Sequence, residues 1–156
     1  MTSVPLRLTV RRSGRFRSTG DQGLRLEVRV PSALDLVEEA LDVIMHHCET
    51  CPQPLHGREF SLRVALGEAL QNAIIYGNRE DPTKSVHVQI HVAARRVEVR
   101  VQDEGDGFDP TIVPDPSIPN RLQQEDGRGL FLIRQLVDDV SFNDRGNSIC
   151  MVLRRA

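Results

Sequence analysis

Residues 85–107 read SVHVQIHVAARRVEVRVQDEGDG. Ser85 to Val92 and Val97 to Val101 alternate apolar and polar residues, the period-two signal of half-buried strands, and Ala93 to Arg96 joins them as a hairpin. The second strand runs straight into Asp103-Glu-Gly105-Asp-Gly107. A chain whose strands come as hairpins rather than as βαβ crossovers belongs to the α+β class.

The flanking sequence fits that class. Upstream, Leu24 to Val30 (LRLEVRV) alternates in the same way. Pro31-Ser32 then opens a helical pattern with Leu34, Val37, Leu41 and Ile44 on one stripe, Ser32 as its expected N-cap, and Pro52 and Pro54 closing it. A second helix is expected from about Arg58 to Tyr76. Its apolar positions, among them Phe60, Leu62, Leu66, Leu70 and Ile74, are broad enough to predict burial, and Gly77-Asn78 stops it. Downstream, residues 103–126 are rich in Gly, Asp and Pro, with prolines at 110, 114, 116 and 119 that exclude regular structure. A short helix from about Gly129 to Val137 and strands near Asp139 to Phe142 and Ser148 to Leu153 complete the chain. The expected architecture is a two-layer α/β sandwich, with helices on one face of a mixed, mostly antiparallel sheet.

Composition narrows the function. The 156 residues fit one domain, with residues 1–22 reading as a basic arm, flexible in its simplest form, and 23–156 as the domain. Arg7, Arg11, Arg12, Arg15 and Arg17 give that arm its charge; it is either a solvated tail or a contact for phosphate or an acidic partner. A net charge of −2 argues against a whole-surface nucleic-acid binder, and no Trp with one Tyr argues against a base-stacking platform. No apolar run approaches the ~18–20 residues that span a bilayer. Met1 to Val10 lacks a signal peptide's apolar core, so a cytoplasmic location is expected. Three cysteines fit a reduced protein better than a disulfide scaffold. Cys48 and Cys51, near His46, His47 and His56, have a spacing that can grip zinc, but no second pair follows and the cluster sits at an expected helix end.

Three segments carry chemistry. Glu68 and Asn72 are four apart, so a carboxylate and an amide leave one face of the second helix one turn apart. They can supply hard oxygen ligands or a base to a metal–phosphate group. Asp103, followed by Gly105 and Gly107, places an acid and a close-approach backbone at a strand end; the register of a calcium loop is absent. Gly127-Arg128-Gly129-Leu130 opens the last helix, where exposed N–H groups and a guanidinium suit an anion. It lacks the Gly-Lys-Ser/Thr of a P-loop, and no parallel βαβ unit surrounds it.

In this order, the stretches EALQNAIIYGN, DEGDGFDP and GRGLFLI resemble the conserved boxes of the gyrase, chaperone, histidine-kinase and mismatch-repair ATPases. Within that superfamily their wording is similar to the bacterial anti-sigma-factor serine/threonine kinases of partner-switching systems. The resemblance covers about Leu24 to Leu153 and implies a histidine-kinase-like ATPase fold. It implies that Asn72 ligates the Mg²⁺ bridging the phosphates of ATP and that Glu68 is the base. It implies that Asp103 reads the adenine amine, while Gly105 and Gly107 shape the pocket. Gly127, Arg128, Gly129 and Leu130 would lie at the phosphates, beneath a lid of residues 110–126, and Ser148 would stand where the family has a Thr near adenine. Tyr76 departs from the pattern, taking the place of a common His. The implied partners are an anti-sigma antagonist of the STAS type, a sigma factor and a second copy of the chain. The implied activity is phosphorylation of the antagonist, with an ATP-loaded clamp lacking efficient phosphotransfer as the alternative. Histidine-kinase, gyrase-like and mismatch-repair readings fit less well, because no helical dimerisation segment precedes Leu24 and no transducer follows the last strand.

Overall fold

Alternation in the sequence becomes two faces of one sheet. In β2 (Leu24–Pro31), β3 (Ser85–Val92) and β4 (Arg96–Gln102), the apolar residues Leu26, Val28, Val88, Ile90, Val99 and Val101 are buried. Between them Arg25, Glu27, Arg29, Gln89 and Arg100 face solvent. The computed structural model describes residues 7–11, 24–50, 55, 57–106 and 125–154, with 7–11 and 125–128 described through their backbone. With β1 (Arg7–Arg11), β5 (Asp139–Phe142) and β6 (Ser148–Arg154), the strands form one six-stranded sheet in the order β1-β2-β3-β4-β6-β5. Register sets the core rows directly: Leu26, Ile90, Val99 and Met151 lie abreast across four strands.

Three helices cover the apolar face: α1 (Val37–Glu49), α2 (Glu59–Asn72) and α3 (Glu125–Leu136). The amphipathic α1 buries Val37, Leu41, Ile44 and Cys48. Packed against α1, α3 and the sheet at once, α2 buries Leu62, Ala65, Leu66, Ala69 and Leu70 around much of its circumference. That is why its sequence is broadly apolar rather than striped. It does not stop at Asn72 but widens into a π turn, Ala73–Gly77. Single π turns of this kind are frequent at functional sites.

The α+β class therefore holds, with several corrections. Among the described residues every strand pair is antiparallel rather than mixed, because α3 carries the chain past β4 to the far edge and the β5–β6 hairpin returns it to β4's side. The arginine-rich segment contributes an edge strand, with Arg7 opposite Arg29 and Arg11 opposite Arg25. Ser32 does not cap a helix: α1 starts five residues later, behind a 3₁₀ turn at Leu34–Leu36, and the Ser32 hydroxyl donates to the Lys84 carbonyl (2.7 Å). Leu34 and Phe60, both on expected apolar stripes, are exposed, Phe60 to 74%. The last helix begins at Glu125, four residues before its expected start. Cys48 is buried in the core, whereas Cys51 and His56, the other members of the Cys/His cluster, lie outside the described residues, as does most of the proposed lid.

The contrast between Leu66 and Phe60 is testable. Leu66→Ala should cost about 2–5 kcal/mol by removing a fully buried side chain, read as a lower urea midpoint. Phe60→Ser, on the same helix, should stay within about 0.5 kcal/mol.

Candidate functional site

The face of α2 that is not buried in the core supplies the site. Glu68 and Asn72, one turn apart and each half-buried, line a cleft of about 310 Å³ together with Gln71, Tyr76, Gly129 and Leu132. That is near the lower end of small-ligand pockets. The third sequence segment reaches this pair through Gly129. A methyl group on Gly129 would stand 2.9 Å from Asn72 Nδ2 and 3.1 Å from Glu68 Oε2, so a side chain there would press on both functional groups. The helix starts early enough that Gly129 lies one turn inside it, where its N–H meets an intrahelical carbonyl. Its contribution is close approach to the Glu68–Asn72 pair, not the free N–H expected of a helix opening. Gly127 and Arg128 occupy the first turn, Leu130 follows half-buried, and Gly107 lies outside the described residues.

The second segment meets the same helix just beyond Asn72, at the end of the π turn. Gly77 closes the π turn directly against Asp103. A Cβ on Gly77 would collide with the Asp103 carboxyl group, and one on Gly105 with the Gly77 carbonyl oxygen. Two hydrogen bonds hold Asp103, beside the β4–β6 pairing. Its N–H donates to the Asn147 carbonyl (2.9 Å), its Oδ1 accepts from the Gly105 N–H (2.8 Å), and Ser148 lies in register with the preceding Gln102. Burial pushes the Asp103 carboxyl above its ordinary value near 3.8, against the opposing pull of the Gly105 hydrogen bond and the Lys84 charge. A carboxylate held in a partly dry turn beside exposed backbone is a strong acceptor for an amine that displaces the remaining water.

Asn78 is the residue that the sequence reading passed over, taking Gly77-Asn78 as a helix stop. It is 1% exposed, and its side chain is fully used. Nδ2 donates to Ser32 Oγ (2.9 Å) and to the Ser85 carbonyl (3.0 Å), while Oδ1 accepts from the Glu104 N–H (2.7 Å). Arg79 and Glu80 follow with φ of 53° and 56°, a left-handed conformation costing on the order of 1–2 kcal/mol per L-residue. The hydrogen bonds from the Asn78 N–H to Ala73 O and from the Glu80 N–H to Ile74 O, both 2.8 Å, help offset it.

Among the described residues, no cluster of three or more His, Cys, Asp or Glu side chains is placed to hold a metal. Mg²⁺ does not need one: bound with a phosphate chain it keeps several waters and takes one or two protein oxygens. The Asn72 carbonyl beside the space that Gly129 leaves open fits that requirement. No described helix is long and apolar enough to cross a membrane.

Comparison with known proteins agrees with this geometry. Residues 30–153 match the family described as histidine kinase-like ATPase domain. The chain is 35% identical over 97 residues to the serine-protein kinase RsbW of Bacillus subtilis, covering 58% of this chain and 61% of that one. It is 31% identical over 97 residues to RsbW of Listeria innocua (58% and 62%) and 28% identical over 97 residues to that of Oceanobacillus iheyensis (58% and 61%). The matched stretch thus spans about three fifths of each of these relatives. With the family match running from the end of β2 to the end of β6 and the three segments meeting along α2, the chain belongs to the histidine kinase-like ATPase domain family.

Proposed function

We propose that the chain binds ATP with Mg²⁺ and transfers the γ-phosphate to a serine or threonine hydroxyl of a partner protein. The observation that carries this reading is the convergence on the C-terminal part of one helix: Gly129 against Glu68 and Asn72 in its last turns, and Asp103 and Gly105 packed on Gly77 where the π turn ends. Asp103 accepts a hydrogen bond from the exocyclic amine of adenine. Asn72 holds the Mg²⁺, which when bound neutralises charge on the phosphates. Gly127, Arg128, Gly129 and Leu130 lie at the phosphate end, and Ser148 supports the adenine end. Glu68 takes the proton of the incoming hydroxyl as its oxygen bonds to the γ-phosphorus and the bond to the β-phosphate oxygen breaks, leaving ADP. Positioning and electrostatics supply most of the rate in such transfers.

The similarity to RsbW kinases supports a partner-switching role. In that role a cytoplasmic homodimer phosphorylates an anti-sigma antagonist and, when free, sequesters a sigma factor. Calorimetry with and without Mg²⁺, run beside label transfer from [γ-³²P]ATP to co-purified partners, tests the proposal. No ATP binding by the wild-type chain sinks it. Binding without transfer turns it into a nucleotide-loaded clamp.

Three variants separate the parts. Glu68→Gln should lower transfer about 10²–10⁴-fold while leaving ATP affinity within about threefold. Asn72→Ala should abolish the gain in ATP affinity that Mg²⁺ gives. Asp103→Asn should weaken ATP binding yet leave the fold equally or more stable at neutral pH. The sign follows from burial. With its folded pKa raised, Asp103 loses its proton at higher pH when folded than when unfolded. Stability therefore falls as pH rises from about 3.8 through the folded value, and the penalty is fully present at pH 7. ATP affinity should run the other way, declining on acidification at a pH above 3.8 as the carboxylate is neutralised.

A further inference from the structure

Asn78 does not line the cleft, yet it ties the turn of Asp103 to the ends of two strands. Its amide nitrogen reaches the end of β2 through Ser32 and the start of β3 through the Ser85 carbonyl, and its oxygen takes the N–H of Glu104, the residue next to Asp103. Glu104 is caught a second time, its carboxylate accepting from the Ser85 N–H at 2.6 Å. The peptide following Asp103 is thus fixed relative to the π turn by Asn78 and relative to β3 by Ser85. Gly77 is the residue before Asn78, so one dipeptide both packs on the Asp103 carboxyl group and holds the peptide behind it. The position asks for two donors and an acceptor on a short stem, which asparagine provides and aspartate, serine or alanine does not.

We infer that Asn78 is the positioning residue for base recognition: through the Glu104 N–H it aims the Asp103 carboxylate, and so sets the preference for a purine bearing an exocyclic amine. The inference rests on the reading of Asp103 as the adenine acceptor. It separates from a merely structural role because aim and stability have different readouts. ITP carries a carbonyl where ATP carries the amine and an N1–H where ATP has an acceptor, so the ratio of ATP to ITP affinity, read against that of Asp103→Asn, reports the Asp103 contact.

The test is calorimetric titration of the full chain with Mg·ATP and Mg·ITP, with folding checked by circular dichroism and thermal melting. Wild type should prefer ATP by about ten- to a hundredfold, the range of one hydrogen bond to a charged group. Asp103→Asn sets the floor of the ratio. In Asn78→Ala the ATP affinity should fall to within about threefold of the ITP affinity, with ITP binding little changed. Ser32→Ala removes one of the bonds to Asn78 but leaves Glu104 held, so it should melt earlier and keep the wild-type ratio. Should Asn78→Ala not fold, Asn78→Asp decides. It keeps the oxygen for Glu104 and makes the contact with the Ser85 carbonyl repulsive, so its ratio should drop by a smaller factor. A folded Asn78 variant with the wild-type ratio, ATP and ITP weakening together, overturns the inference and leaves the ATP reading intact. A wild-type chain that binds ATP but does not distinguish ITP overturns the assignment of Asp103 itself.

Discussion

The end of α2 and the turn after β4 can occupy their positions only because two glycines face each other there. Gly77 and Gly105 let backbone meet backbone where any Cβ would strike the Asp103 carboxyl group or the Gly77 carbonyl. This contact joins the helical layer to the sheet a few residues beyond the Glu68–Asn72 pair. It also sets a scale. From Glu68 to Gly77 is nine residues, about 13 Å of helix axis. Asp103 and the Glu68–Asn72 pair are thus held apart by a single rigid element rather than by a loop, and sites built on such elements are the more exact for it.

Close packing at that joint has an electrostatic consequence. Seating Asp103 against the π turn removes part of its water, and the lost solvation raises its pKa despite the N–H that Gly105 supplies. The folded state therefore holds a carboxylate at a cost in solvation. Instability concentrated at a binding group is a common mark of function, since natural sequences depart from their own rules where a site requires it. The left-handed Arg79 and Glu80, one step along the same turn, are a second such departure within a few residues.

Much of the fold was legible because it obeys local periodicity. The strands from Leu24, Ser85 and Val97 each alternate, and alternation is what one buried face writes into a sequence. The arginine-rich β1 escaped because only Leu8 and Val10 alternate within five residues, and the surrounding charge reads as a tail. Phe60 misled for the opposite reason: it fits the apolar pattern of α2, but it lies in the first turn, before the helix passes beneath its neighbours. Of the site, Glu68, Asn72, Asp103, Gly105 and Gly129 were found as separate short motifs, and the structure adds that α2 contacts each group. Asn78 could not be found that way, since its partners stand 46, 7 and 26 residues away and a Gly-Asn after a helix has an adequate local explanation.

That difference separates two kinds of functional residue. A group that touches the ligand must be of a particular chemical type, and type together with spacing survives in the sequence as a motif. A group that aims another need only complete a set of hydrogen bonds, and what specifies it is the geometry of its partners. Ser32 illustrates the ambiguity: before α1 its hydroxyl is a reasonable helix cap, whereas in the fold it bridges the Lys84 carbonyl and the Asn78 amide. Both uses satisfy the same donor and acceptor, so no local rule distinguishes them. A buried polar side chain with every partner satisfied constrains the backbone around it tightly, because losing any one bond leaves a buried group unpaired. At Asn78 the backbone so constrained is the peptide that follows Asp103. The distant strand ends at Ser32 and Ser85 thereby bear on the backbone beside Asp103 without touching its carboxyl group.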